Sequence, residues 1–238
     1  MLLPALSKAK EKAKAINCLS NVKQVSLGSK MWTDDNQDAI IPLYIQRGTS
    51  GFDTSSPYDS ATYVINDPND IWWQDILRLG GYGPNGKVCS CPSLTSFPTT
   101  GSGGSVSTNF TLGIAMNHPE FALTVGSWST LLWKANSVSR PSTAIIFADG
   151  GKVTSATVGL TADEWVPEIN GGGVSYFRSP TDGNFNTGDS RSLPRHNKRC
   201  NFGFFDGHAE LLKNSQAGYN LYVPGGPQPE GAWWSRTH

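Results

Sequence analysis

The longest patterned stretch stands at the start of the chain. "LSKAKEKAKAINCLSNVKQVSLGSKMW" holds no proline, and Pro4 just before it falls where the first turn of a helix tolerates one. Ala9, Ala13, Ile16, Leu19, Val22 and Val25 recur at steps of three and four, which draws one apolar helix face that the lysines largely avoid. "TDDNQDAIIP" then brings in residues that favour turns, so the helix is expected to end near residue 34. At ~1.5 Å per residue, about thirty residues make a rod about 45 Å long. A compact domain of this size needs less, and one end of the rod is expected to project.

Beyond the helix the periodicity shortens. "AIIPLYI" reads as a strand, "GTSGFDTSSPYDSA" as a loop, and "DIWWQDILRLGGYG" as a short helix closed by glycines. "KVCSCPS" reads as a strand end and "TSFPTTGSGGSVSTN" as a flexible low-complexity segment. "STLLWKA" and "STAIIFADGGKVTS" are strand candidates, the second with an Asp-Gly turn signal; residues 159–199 read as a long excursion. "CNFGFFDGHAELL" reads as a hairpin about Asp206-Gly207, echoing "FADGG" at 147–151. A two-residue turn there would set Phe204 opposite Ala209 and Phe202 opposite Leu211. It would also gather Cys200, Phe202, Phe204, Ala209 and Leu211 on one apolar face. The expected fold is α+β: a long helix in residues 1–34 packed on a mostly antiparallel sheet, with long loop insertions, in a β-rich head over 35–238.

Charge adds one feature. The formal net charge is zero, yet the first thirty residues carry +5 and the rest −5. A basic end on an otherwise acidic protein suits an anionic surface such as lipid headgroups, whereas no aromatic-basic pattern points to nucleic acid. No run of ~18 apolar residues is present to span a bilayer. Met1-Leu2-Leu3-Pro4 is too short for a signal peptide's apolar region, and fits the tail of a longer hydrophobic segment.

Several residues could carry chemistry. In "RHNKRCNFGFFDGH", His196 and His208 flank Cys200 and Asp206, but His196 and Asp206 would be roughly 30 Å apart along an extended strand. The reading favoured is a structural hairpin. Cys18, Cys89, Cys91 and Cys200 lack the usual Cys-x-x-Cys zinc spacing, and an even count suits either disulfides or buried thiols. Asp182, Asn184, Asn186 and Asp189 alternate as calcium ligands do, without the glycine and glutamate of a full calcium loop; Asp34, Asn36 and Asp38 read as a helix exit. Trp72-Trp73 and Trp233-Trp234 could stack on a polysaccharide or pack in a core. No nucleophile, metalloprotease or phosphate-loop motif accompanies the four histidines, so a non-enzymatic protein is expected, with no required cofactor.

"LLPALSKAKEKAKAINCLSNVKQ" resembles the segment that follows the membrane-spanning half of a type IV prepilin-like helix, in the style of the pseudopilin-like families of Planctomycetes, Verrucomicrobia and Lentisphaerae. "MWTDDNQDAIIP", the "CPS" at 91–93 and the spacing His196-x9-Asp206-Gly207 follow in the order of the H-x9-DG prepilin-processing-associated domain. The resemblance is close over the first ~45 residues and scattered from there to about Leu212. It implies a pilin-like fold and a structural subunit of a type II secretion pseudopilus or related type IV filament. Such a subunit self-assembles with other pilin-like chains, engages the secretion or pilus assembly machinery, and is anchored by an apolar helix of which Met1-Leu2-Leu3 would be the tail. An inner-membrane anchor with a periplasmic head, or a place in a cell-surface filament, follows from that. Calcium in the C-terminal region of major pseudopilins draws interest to Asp182–Asp189. His196, Asp206 and Gly207 become family features of structure. An envelope location implies disulfides, paired Cys18–Cys91 and Cys89–Cys200. The alternative is a surface binding module for polysaccharide or protein that the helix merely anchors.

Overall fold

The structure, a computed structural model, describes residues 2–49, 64–83, 87–94, 100–101, 104–106, 112–121, 124–125, 132–168, 174–221 and 232–237. Along the chain come α1 (Leu2–Asp35), β1 (Tyr44–Gln46), β2 (Ile65–Asn66), β3 (Asp70–Trp72), α2 (Trp73–Leu79), β4 (Thr100–Gly101), β5 (Gly104–Val106) and β6 (Ile114–His118). They are followed by β7 (Thr124–Val125), β8 (Ile145–Lys152), β9 (Tyr176–Arg178), β10 (Ser190–Ser192), β11 (Cys200–Phe204) and β12 (Ala209–Leu212). The architecture is α+β: one long N-terminal helix on a mixed sheet.

The main sheet runs β12-β11-β8-β6-β9, with β10 paired to β8. All its pairings are antiparallel except β6 with β9. Both faces are covered. Val22 and Val25 of α1 join Trp73, Ile114, Met116, Phe147 and Phe205 in a core on one face. Ala148, Phe177, Cys200, Phe202, Phe204 and Trp234 form the core of the other. Two-sided cover explains why β11 is buried at every position rather than at alternate ones.

Only the second half of α1 packs. Cys18, Val22, Val25, Ser26, Ser29, Trp32 and Thr33 are buried, whereas residues 4–13 are exposed and Ile16 is 66% exposed. The stripe expected from Ala9 to Val25 therefore divides: Val22 and Val25 face the sheet, and Ala9, Ala13 and Ile16 face away. Small hydroxyls on the buried side let the helix approach closely, because Ser26 and Thr33 return their hydrogen bonds to the carbonyls of Val22 and Ser29. The sheet meets them with Gly203, where a Cβ would fall 2.1 Å from Ser26 Oγ and 2.9 Å from Val22 Cγ1.

Several local expectations change. "FADGG" is not a turn; it lies inside β8, where Gly150 and Gly151 serve close packing. A Cβ at Gly150 would sit 2.1 Å from that of Ala115, and one at Gly151 would sit 2.5 Å from Leu193 Cδ1. The last hairpin is one residue out of the expected register, pairing Gly203 with Ala209 and Phe202 with Glu210. Its turn holds three residues, Phe205, Asp206 and Gly207, with Gly207 at φ +94°, the left-handed position such a turn needs. The excursion 159–199 contributes β9 and β10 to the sheet. "KVCSCPS" is a pair of turns rather than a strand end, and the "AIIPLYI" strand is confined to its last two residues and Gln46. The glycine-closed helix in "DIWWQDILRLGGYG" is present as α2, entered through β3. Most of the loop 48–61, most of the low-complexity stretch and the first part of "STLLWKA" lie outside the described residues.

Gly203→Ala is expected to destabilise the fold by about 1–3 kcal/mol in urea unfolding, because the new methyl overlaps α1. Gly159→Ala, with open space around its Cβ, is expected within about 0.5 kcal/mol of the parent. Equal midpoints for the two variants would contradict this packing.

Candidate functional site: a buried Cys-Cys-Asp-His cluster

Four side chains from distant parts of the chain converge between α1 and the sheet. Cys18, Cys91, Asp149 and His196 each place a ligating atom within 4.8 Å of all the others, and none is more than 4% exposed. Cys18 occupies the first buried turn of α1. Cys91 sits in the turn after Cys89, whose carbonyl accepts the N–H groups of Gly113 and Ile114. Asn21 of α1 donates to the Ser90 carbonyl at 3.0 Å and draws that turn onto the helix. Gly113 allows the approach, since a Cβ there would lie 2.4 Å from the Cys91 nitrogen.

Asp149 projects from β8 into the middle of the cluster. Its Oδ1 accepts from Cys18 Sγ at 3.0 Å and lies 3.8 Å from Arg195 Nη2. Its Oδ2 accepts the Asn201 N–H at 2.8 Å and lies 3.3 Å from His196 Nε2. His196 is aimed by a tight turn, in which His196 and Arg199 exchange backbone hydrogen bonds around Asn197 and Lys198 at φ +52° and +60°. The same imidazole nitrogen is 3.6 Å from Cys91 Sγ. Arg195 also donates to the Gly113 carbonyl at 2.6 Å, which fixes the guanidinium beside the carboxylate.

The electrostatics follow from this crowding. Burial works to raise the Asp149 pKa, but the hydrogen bond from His196 and the charges of Arg195 and His196 hold it below the ordinary carboxylate range. Burial works to lower that of His196; Asp149 and Cys91 overcome it and raise the value to about 9. The Cys91 thiol is pushed down, chiefly by the hydrogen bond from Cys18, while its partner Cys18 is pushed up by the same bond and by burial. The cluster thus sets the Asp149 carboxyl and two thiols against the Arg195 guanidinium and the His196 imidazole.

The sequence expectations fare unevenly against this geometry. All four cysteines are free, so the Cys18–Cys91 and Cys89–Cys200 disulfides are not formed. Cys89 belongs to the core on the α1 face of the sheet and Cys200 to the core on the other, which keeps that pair apart. Cys18 and Cys91 do meet, but they share their surroundings with Asp149 and His196. Asp206 takes no part and pairs with its neighbour His208 at the hairpin turn. Asp182 binds Arg178, His118 (2.9 Å) and the Asn184 N–H (2.8 Å), and Asp189 binds Lys152 (3.1 Å). The two carboxylates expected to share a calcium ion thus each face cations of the protein.

The tryptophan pairs are not stacking platforms. Trp72 donates to Asp67 at 3.1 Å, Trp73 donates to the Ser175 carbonyl at 2.8 Å, Trp234 is fully buried, and Trp233 is half-buried. Of the cluster, only Asp149 carried no chemical signal in the sequence, because Asp-Gly-Gly reads as a turn.

Asp149→Ala is expected to cost about 3–5 kcal/mol in urea unfolding, since it strands a buried Arg195 and His196 without their counter-charge. Asp206→Ala, at an exposed turn, is expected to cost less than about 1 kcal/mol. Equal losses would mean that Asp149 is not the centre of the cluster.

No protein-family model, curated protein or solved structure matches this chain, so the site stands on its own geometry.

Proposed function

We propose that this chain is a pilin-like structural subunit, in which the pilin-like fold presents α1 for side-by-side packing with copies of itself or related chains in a secretion pseudopilus or type IV filament. The observation that carries the reading is the exposed side of α1. Leu6, Ile16, Leu27 and Met31 are 67%, 66%, 44% and 55% exposed. At ~100° per residue these four lie within about 80° of arc, on the side of the helix opposite Cys18, Val22, Val25 and Ser29. Ala9 and Ala13 fall in the same arc, and Lys8, Lys10, Lys12, Lys14, Lys23 and Lys30 fall outside it.

A helix with apolar residues on both sides has one more partner than the fold supplies. Its lysines, concentrated over the same rod, suit a neighbouring anionic lipid surface. Among the described residues no helix is long and apolar enough to cross a membrane. The resemblance of "LLPALSKAKEKAKAINCLSNVKQ" and of His196-x9-Asp206-Gly207 to the H-x9-DG families points the same way. The alternative of a polysaccharide-binding surface loses its main support with the burial of Trp72, Trp73 and Trp234.

Electron microscopy of cells expressing the gene tests the reading. Deletion is expected to remove filaments, and the wild-type gene to restore them. Genes carrying Ile16→Glu and Met31→Glu are expected to fail, although the exposed positions leave the fold's stability unchanged within about 0.5 kcal/mol. Filaments unaffected by the deletion would overturn the proposal.

A further inference from the structure

We propose that Cys18, Cys91, Asp149 and His196 form a structural zinc site that rivets α1 to the sheet. The proposal is independent of the filament reading.

The spacing of the donors is the first support. A tetrahedral ion with Zn–S near ~2.3 Å and Zn–N or Zn–O near ~2.0–2.1 Å requires sulfur–nitrogen edges of about 3.5 Å and nitrogen–oxygen edges of about 3.3 Å. The structure has 3.6 Å between Cys91 Sγ and His196 Nε2, and 3.3 Å between His196 Nε2 and Asp149 Oδ2. Cys18 Sγ is 3.0 Å from Asp149 Oδ1, and all four donors fit within 4.8 Å. Two of these separations match the edges a tetrahedral zinc sets, and the remaining donors lie close enough for an ion to draw them into place.

Donor chemistry selects the metal. Two thiols and an imidazole are soft to borderline ligands, which disfavours calcium and magnesium and suits zinc. Burial selects the role. Each residue is between 0% and 4% exposed, so four protein ligands close the site and leave no position for water or substrate. This separates it from the hydrolytic type, which keeps one position open.

Charge supplies the third support. Two thiolates and one carboxylate bring three negative charges; a zinc dication and the Arg195 guanidinium bring three positive ones. A fully buried site is then neutral, which desolvation demands. Arg195 beside Asp149, and the Asn201 N–H on its Oδ2, are the outer contacts that orient a ligating carboxylate. The His196 ring has its Nε2 in the cluster, and its buried Nδ1 has no hydrogen-bond partner among the described residues. The nitrogen that can ligate is thus the one the fold engages. Sequence separation is the consequence: positions 18, 91, 149 and 196 sit in a helix, a turn, a strand and a second turn, and one ion would tie all of them together.

The test uses the whole chain, refolded with zinc and gel-filtered. Elemental analysis is expected to find one zinc per chain in the wild type and in His208→Ala, whose histidine lies outside the cluster. Cys91→Ser and His196→Ala are each expected to weaken zinc binding by at least about tenfold in a competition titration with a chromogenic chelator. Cobalt added to chelator-stripped wild-type protein reports directly, without depending on any variant folding. Intense visible bands of a tetrahedral ion and sulfur-to-cobalt charge transfer are expected. An octahedral cobalt spectrum, or a wild-type protein that takes up no zinc, would overturn the proposal. So would an intact mass showing Cys18 and Cys91 joined as a disulfide in the refolded chain.

Discussion

Asp149 is a carboxylate in the middle of a central strand with no exposure to solvent, and everything around it answers to that constraint. A buried anion is costly unless hydrogen bonds and opposite charge surround it. Here the answer comes from four directions: a thiol on α1, the Asn201 backbone, and the Arg195 and His196 side chains from the turn before β11. These contacts join α1, β11 and the turn before it to β8. The carboxylate therefore ties the seat of α1 to the approach to the last hairpin, and His196 extends the link to Cys91.

The apolar packing on either side is adapted to that centre. Gly203 and Gly113 remove side chains where α1 and the Cys91 turn press closest. Gly150 and Gly151 do the same for β6 and for the segment holding Leu193. Small residues next to a charged cluster bring backbones near enough for short side chains such as cysteine and aspartate to meet. On the far side of the sheet an aromatic core around Trp165, Phe185, Tyr219 and Trp234 closes the other face. The rod that projects past this assembly carries its own apolar arc, unrelated to the cluster and pointing away from it.

The long helix was legible because no proline interrupts residues 5–41 and turn-forming residues gather only after Trp32, and α2 because glycines end it. The division of the α1 stripe was not, since Ile16 and Val22 are equally apolar and only the sheet decides which side is inside. "FADGG" misled for a physical reason: the same Asp-Gly pair that permits a turn also permits close packing in a strand, and the choice depends on Ala115 and Leu193, far away in sequence. Cys18, Cys91 and His196 each drew notice in isolation. Their meeting was hidden because the spacing rules for metal sites assume ligands on one short segment, whereas these come from four. The hairpin register slipped by one because Phe205 enters the turn instead of pairing across it.

Anomalous X-ray diffraction recorded on either side of the zinc absorption edge, on crystals of the zinc-refolded chain, tests the central claim most directly. A single anomalous peak surrounded by Cys18 Sγ, Cys91 Sγ, His196 Nε2 and a carboxylate oxygen of Asp149 is the result predicted. Continuous density between the two sulfurs, or an empty cluster with Asp149 turned away from His196, would contradict it.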